Sequence, residues 1–244
     1  MIHDRPSDSL RLQVFLSRSG VCSRRRALEW IKQGRVQLNG HPVKEPSTPV
    51  NPSRDRVEVD GQPVHQTVYT YIMLNKPAGT VTTTADRHAE KTVLDLLPEE
   101  LRHLNPVGRL DKDTEGLLLL TNDGDLLYRL THPKFNVDKT YFVRIKGCLS
   151  PEDKNHLEKG VPIEGKMTAP AKIRNLKTVS GRSEFEIIIH EGRKRQIRLM
   201  LQSLGHEVIY LKRIIQGPLR LADLQSGQWR SLNRKEIELL KTPS

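Results

Sequence analysis

An α+β fold is what this 244-residue chain predicts: a mixed, mainly antiparallel sheet with flanking helices, preceded by a small N-terminal α/β module. Three observations carry that expectation. Residues 139–145 read as a β-rich strand, and residues 183–190 alternate apolar and polar side chains, with Phe185, Ile187 and Ile189 on one face. Leu117, Leu118, Leu119 and Leu120 form an apolar run too short for a helix and bounded by turns, as in a buried strand. Helical segments fall between these strands without strict βαβ alternation, which favours α+β over a doubly wound sheet.

The elements follow in chain order. Ser9 is placed to cap a helix that carries Leu12, Phe15 and Leu16 on one face and stops at Gly20. Ser23 is placed to cap a second, with Ala27, Leu28 and Ile31 inward and Gly34 beyond its end. Val36 and Leu38 alternate with Arg35 and Gln37, and Asn39-Gly40 is a two-residue hairpin turn. Val57 and Val59 supply a later strand before Asp60-Gly61. Pro42, Pro46, Pro49 and Pro52 mark irregular connection. The module is expected to span residues 1–65 and a larger domain residues 66–244.

In the larger domain, Tyr71-Ile72-Met73-Leu74 is a short apolar strand turned by Asn75-Lys76-Pro77-Ala78-Gly79, with residues 81–84 the next extended piece. Residues 93–97 are a helical turn stopped by Pro98. Residues 125–131 read as a helix ended by His132-Pro133, and Ser150-Pro151-Glu152-Asp153 starts another. Residues 196–204 read as a helix with Ile197, Met200, Leu201 and Leu204 inward and Gly205 closing it.

Charge narrows the function classes. The chain carries 40 Lys+Arg against 29 Asp+Glu, a formal net charge of +11. A surface this basic suits a polyanion, nucleic acid first. The second helix opens Ser23-Arg24-Arg25-Arg26. Cations at a helix N-terminus oppose the macrodipole. A docked phosphate reverses that sign, because free N–H groups and guanidinium groups then both face an anion. Cys22 and Cys148 are far apart, which fits neither a disulfide framework nor a zinc ribbon, and no His-Glu-x-x-His occurs. Residues 1–9 are polar, unlike a leader, and no apolar run is long enough to span a bilayer, so the cytoplasm is the expected compartment. Asp111-x-Asp113-x-Glu115-Gly116 imitates the start of a calcium loop, but its twelfth position is Asn122 rather than a bidentate Glu. Paired carboxylates also suit glycoside hydrolysis. Such an enzyme has no need of an arginine-headed helix, and 5% aromatic content is poor in sugar-stacking platforms.

The segment Gly108-Arg109-Leu110-Asp111-Lys112-Asp113-Thr114-Glu115-Gly116, followed by the leucines and Thr121-Asn122-Asp123-Gly124, resembles a known signature. It is that of the pseudouridine synthases named for the bacterial small-subunit rRNA enzyme and its large-subunit relatives. A carboxylate held beside a dry core is a candidate for nucleophilic or acid/base work, and the resemblance makes Asp111 the catalytic residue. The Asn75-Lys76-Pro77-x-Gly79 turn also resembles this family. Lys139-Thr140-Tyr141 matches the family's active-site tyrosine, whose ring can stack on uracil and whose hydroxyl can serve acid/base chemistry. The stretch from Glu191 to Arg198 resembles the family's third motif, which implies that Arg198 pairs with Asp111 and keeps it ionised. Assigning Arg198 over Arg195 rests on motif position alone. Leu10-Arg11-Leu12, Gly20-Val21-Cys22-Ser23-Arg24-Arg25, Ile31-Lys32-Gln33-Gly34-Arg35-Val36 and Leu38-Asn39-Gly40 resemble the RNA-binding module of the fourth small-subunit ribosomal protein.

The expected function is conversion of one uridine of ribosomal RNA to pseudouridine. Gly192-Arg193-Lys194-Arg195-Gln196 and the single basic module favour the large-subunit branch. Asp111 either attacks the sugar or abstracts a proton, and the sequence leaves both open. Arg24, Arg25, Arg26, Arg35, Lys76, Arg109, Arg193, Lys194 and Arg195 are the expected RNA contacts. An isomerisation implies no cofactor and no metal. The expected partner is ribosomal RNA or an assembling ribosomal subunit, without a membrane, and the expected state is a monomer. The alternative is a non-catalytic RNA-binding or ribosome-assembly factor. Asp111, Tyr141 and Arg198 together argue against it, since binding alone needs none of the three.

Overall fold

The computed structural model describes residues 9–65, 68–83 and 91–242. The chain divides into two compact units, Met1–Tyr69 and Thr70–Ser244. In the first, β1 (Leu10–Arg11) runs into α1 (Leu12–Arg18), and α2 (Arg24–Lys32) follows. Short strands come next: β2 (Val36–Leu38), β3 (His41–Pro42), β4 (Pro49–Val50), β5 (Val57–Val59) and β6 (Gln62–Pro63). They pair antiparallel in the order β3-β2-β5-β6, with β1 on β4. Leu12, Phe15 and Leu16 of α1 meet Ala27 and Ile31 of α2 over Val36, Val50 and Val57.

Local chemistry explains most of these boundaries. The Ser23 hydroxyl accepts from Arg26 N–H at 3.3 Å and caps α2. Asn39 and Gly40 both adopt positive φ, 53° and 82°, as a two-residue hairpin between twisted strands requires. Ser9 does not cap α1. The cap position is Arg11, without a side-chain bond, because Leu10 and Arg11 pair with β4 and Leu12 N–H donates to Thr48 O at 2.8 Å. Pro42 and Pro49, expected in irregular connection, lie in two-residue strands.

The second unit is built on one sheet. Its strands are β7 (Tyr71–Lys76), β8 (Asn105–Pro106), β9 (Glu115–Thr121), β10 (Lys139–Lys146), β11 (Pro162–Ile163), β12 (Lys166–Met167), β13 (Lys172–Val179), β14 (Arg182–Ile189), β15 (Val208–Gln216), β16 (Leu219–Arg220) and β17 (Trp229–Ser231). Its helices are α3 (Gly124–Thr131), α4 (Pro151–Lys159), α5 (Gln196–Ser203) and α6 (Arg234–Lys241). The sheet order is β13-β14-β10-β15-β9-β7-β17, with β8 on β9 and β16 on β15, while β11 and β12 form a separate hairpin. Every strand pair in the sheet is antiparallel except β9 with β15. All four leucines of β9 are buried, Leu118 and Leu120 beside Ile72 and Leu74 of β7, and that core continues through Val143, Phe185, Ile187, Ile197 and Leu201.

Asp123 caps α3 by accepting from Asp125 and Leu126 N–H, and Ser150 caps α4 by accepting from Asp153 N–H at 3.0 Å. A 3-10 turn at Val93–Leu96 ends before Pro98. Two expectations need correction. Asn75 and Lys76 do not belong to the turn: they complete β7, all six of whose residues are buried. The expected extended piece at 81–84 is reduced to a bridge from Val81 to Thr92, and Thr84 lies outside the described residues.

The parallel contact of β9 with β15 is unusually close. Gly116 pairs with Arg213 at φ +108°, and a Cβ there would collide with the Arg213 carbonyl oxygen and lie 2.7 Å from its nitrogen. Only glycine permits both the dihedral and the approach. Gly116→Ala is expected to cost at least ~2 kcal/mol in urea unfolding. Gly124→Ala, at a helix start with open space around it, is expected to stay within about 0.5 kcal/mol of the wild type. Equal midpoints for the two variants would remove the constraint.

Candidate active site

The segment that carries Asp111 is fastened by its main chain. The Thr82 hydroxyl donates to Leu110 O at 2.9 Å and accepts from Leu110 N–H at 3.3 Å. Thr114 N–H donates to Asp111 O at 3.0 Å, and Gly79 N–H donates to Lys112 O at 2.8 Å. The largest fastener is Lys76. Its ammonium is completely buried and donates to the carbonyls of Pro77 (3.1 Å), Asp111 (3.1 Å), Lys112 (3.2 Å) and Thr114 (2.9 Å). Three N–H donors thus serve four oxygens. Burial pushes this amine down to about 8, against the pull of the Asp113, Asp111 and Glu115 carboxylates, so it stays charged at neutral pH. Lys76 was expected to touch RNA. It does not reach the surface, because it ends a fully buried strand and turns under the loop.

Beyond the loop, the Tyr210 hydroxyl donates to Glu115 Oε2 at 2.9 Å, and burial followed by that carboxylate pushes its pKa up to about 12. Arg198, expected on Asp111, lies on Asp113 instead. Its Nη2 donates to Asp113 O at 3.1 Å, its Nε is 3.7 Å from Asp113 Oδ2, and its Nη1 holds Val208 O. Arg195 Nη1 reaches the same carboxylate at 3.3 Å. Burial opposes ionisation of Asp113, but its own N–H and the Arg198 and Arg195 charges hold its carboxyl below the usual range. No ion pair joins Arg198 or Arg195 to Asp111 among the described residues. Two positions of one tight turn compete for the guanidinium groups, and the fold delivers them to the outer one.

Asp111 and Tyr141 line one cavity of ≈ 290 Å³, with Thr114 and the apolar side chains of Leu110, Ile189, Ile197 and Leu211. Tyr141 is only 8% exposed, and its place in β10 coincides with a register shift against β15 between Thr140 and Tyr141. Such bulges re-aim side chains beside functional sites. Arg109, Lys194 and Arg195 are exposed at the mouth. Arg193 also lines it but is committed to protein, donating to Lys166 O and Met167 O. Buried Gln196 braces the loop before α5: its amide donates to Glu191 and accepts from Arg193 N–H at 3.0 Å. In the first unit Arg24, Arg25 and Arg26 are exposed on α2. Arg26 and Arg35 both lie over the Trp30 ring, at 5.4 and 4.8 Å, and Arg35 is paired with Asp60.

Sequence reasoning missed Thr82, Leu211 and the structural role of Lys76. A lysine one residue beyond the apolar run Tyr71-Ile72-Met73-Leu74 is a signal, since a strand buried throughout cannot leave its last residue in water. Lys76→Met is expected to leave the Pro77 and Thr114 carbonyls without donors, since those of Asp111 and Lys112 keep the Thr114 and Gly79 N–H groups, at about 1–3 kcal/mol for each one orphaned. Urea unfolding should record a loss of ~3 kcal/mol or more. Lys76→Arg should not restore it, because a planar guanidinium cannot converge on four oxygens. A Lys76→Met protein of full stability but reduced RNA affinity would return Lys76 to the surface role.

Comparison with known proteins places the chain in a family. The RNA pseudouridylate synthase family matches residues 70–203, and the S4 domain matches residues 10–57. The chain is 42% identical over 233 residues to the ribosomal large subunit pseudouridine synthase B of Bacillus subtilis, covering 95% of each chain. It is 43% identical over 238 residues to the uncharacterized RNA pseudouridine synthase YtzG of the same organism, covering 96% of this chain and 99% of that one. A crystal structure of a pseudouridylate synthase superposes with a TM-score of 0.67 at 32% identity, over 95% of this chain and all of the other. The protein therefore belongs to the RNA pseudouridylate synthase family and carries an S4 domain at its N-terminal end.

Proposed function

We propose that the protein converts one uridine of ribosomal RNA, in the large subunit, to pseudouridine, with Asp111 as the catalytic carboxylate and Tyr141 against the target base. The observation that carries this reading is the meeting of Asp111 and Tyr141 in one partly apolar cavity with cations at its mouth. A large-subunit substrate is supported by the likeness to the Bacillus subtilis large-subunit enzyme. The reaction breaks the bond from uracil N1 to the sugar, turns the base and joins its C5 to the same sugar carbon. The proton lost from C5 is balanced by the one gained at N1, so no co-reactant is consumed. The apolar wall excludes water, which would otherwise trap the detached sugar. Asp111 either bonds to the sugar carbon or removes a sugar proton, and both need a carboxylate within reach of the ribose.

Arg198 serves as a positioning residue: through Asp113 it ties α5 to the loop that presents Asp111. Residues 1–65 act as the RNA-binding module, with Arg24, Arg25 and Arg26 on phosphates, and residues 66–244 act as the catalytic domain. Arg35 adds charge only in part, since Asp60 already pairs with it. No helix among the described residues is long and apolar enough to cross a membrane. A monomer acting in the cytoplasm on ribosomal RNA or an assembling subunit fits these features.

Asp111→Asn should fold and bind RNA like the wild type and form no pseudouridine in single-turnover assays at saturating RNA. Asp113→Asn should retain substantial turnover, since it loosens the loop without removing the catalyst. Turnover by Asp111→Asn near the wild-type rate would refute the assignment. Single changes of Arg24, Arg25 and Arg26 to Ala should each weaken RNA binding about uniformly across sequences, lowering the slope of log K against log salt by about one per lost phosphate contact. Unchanged salt slopes would take the phosphates away from α2.

A further inference from the structure

A second cavity of ≈ 140 Å³ adjoins the first, sharing Gly108, Arg109, Tyr141 and Gly192 with it. Its far wall is cationic. Arg213 is 2% exposed, spends Nε on Leu117 O at 2.7 Å, and leaves the buried Nη2 without a hydrogen-bond partner. Lys139 donates to Val137 O and His190 O, which leaves its third N–H uncommitted. Gln216, 1% exposed, has an unpaired Oε1 on the same cavity. Its amide, turned over, offers N–H groups instead. Neither cation has an ion-pair partner among the described residues. The one carboxylate in the wall, Glu191, is already taken: Oε1 accepts from Ala169 N–H and Gln196, and Oε2 lies 3.5 Å from Arg193. Burial, then the Arg213 charge, pushes Lys139 down to about 8.

Arg213 is buried and Lys139 half-buried beside it, and the carboxylate that pulls on Lys139, Asp138, lies outside the cavity wall. A buried guanidinium with an unused donor is costly unless an anion completes the site. A guanidinium edge beside an ammonium suits a tetrahedral oxyanion. We propose that this cavity is a phosphate subsite that holds one phosphodiester of the substrate strand while the neighbouring uracil lies against Tyr141. The assignment rests on the reading of the first cavity as the base site. A nucleotide is the ligand that puts a π-face and an anion on either side of the same tyrosine. The subsite makes Arg213 and Lys139 binding residues, which fix how far the flipped nucleotide enters.

The test follows Lys139 and Tyr141 by NMR in the full-length protein carrying ¹³C-labelled lysine and tyrosine. Lys139→Met identifies the lysine signal. Inorganic phosphate, titrated at constant ionic strength against chloride, should raise the Lys139 titration midpoint by about one unit. A uridine trinucleotide should do so at a concentration at least about tenfold lower and shift the Tyr141 ring as well. Replacing one of its two phosphodiesters by a neutral methylphosphonate should abolish the Lys139 shift, and uridine alone should leave Lys139 in place. Arg213→Lys, which keeps the charge but loses Nη2, should weaken the trinucleotide by about tenfold or more. Lys139 unmoved by both phosphate and trinucleotide overturns the subsite. Movement with phosphate alone overturns its assignment to the substrate strand. These signals do not depend on turnover, so a protein that forms no pseudouridine but shows the charge-dependent shift fails the functional reading and keeps the phosphate site.

Discussion

A single buried ammonium organises the catalytic unit. Lys76 collects four main-chain carbonyls from two segments and joins the end of β7 to the loop that carries Asp111. Burying a lysine is unfavourable unless its donors are used, and here they are used entirely on backbone. The cation therefore costs least when the loop has its native shape, and within the loop the Thr114 carbonyl depends on it. Thr82 adds a two-way clasp on Leu110, and Tyr210 secures Glu115. Asp111 emerges from a backbone held at both ends, so its carboxylate meets the cavity with little freedom to lose on binding.

The electrostatics fall into two layers. Asp113, two positions beyond Asp111, takes the attention of Arg195 and Arg198. That arrangement keeps their charge off Asp111 while still bracing its loop against α5. On the other side of Tyr141, Arg213 and Lys139 line a cavity whose one carboxylate, Glu191, is already engaged elsewhere. Asp111 is thus flanked by one cationic cluster that is engaged with Asp113 and one that is not, a polarity suited to an anionic ligand along the cleft.

What could be read in the sequence was local. Asn39-Gly40, Ser23, Asp123-Gly124 and Ser150-Pro151 act within a few residues, and turns and helix starts appear where they sit. Asp111 was picked out by the long motif around it and Tyr141 by the short Lys139-Thr140-Tyr141 match, and both line one cavity. What could not be read depends on distant chain. The apolar strand before Lys76 hints that it is buried, but not what it holds, since three of the four carbonyls it serves belong to residues more than thirty positions away. Ser9 failed as a cap because β4 claims the preceding residues. The strand β15 passed unread, for its polar Lys212, Arg213 and Gln216 conceal a central position in the sheet. Arg198 found Asp113 rather than Asp111, a choice made by the depth of the turn and not by spacing.

The parallel seam between β9 and β15 also has a temporal meaning. Arg213 donates to Leu117 across 96 positions of chain, and Gly116 is clamped by the same residue. A chain leaving the ribosome in order presents Asp111 long before the strand that encloses it. The first unit, whose pairings all lie within residues 10–63, has its partners at hand much earlier. Non-local pairing of this kind is slow relative to local hairpins. The nascent protein is therefore expected to complete its S4 domain first and to enclose the cavity around Asp111 last.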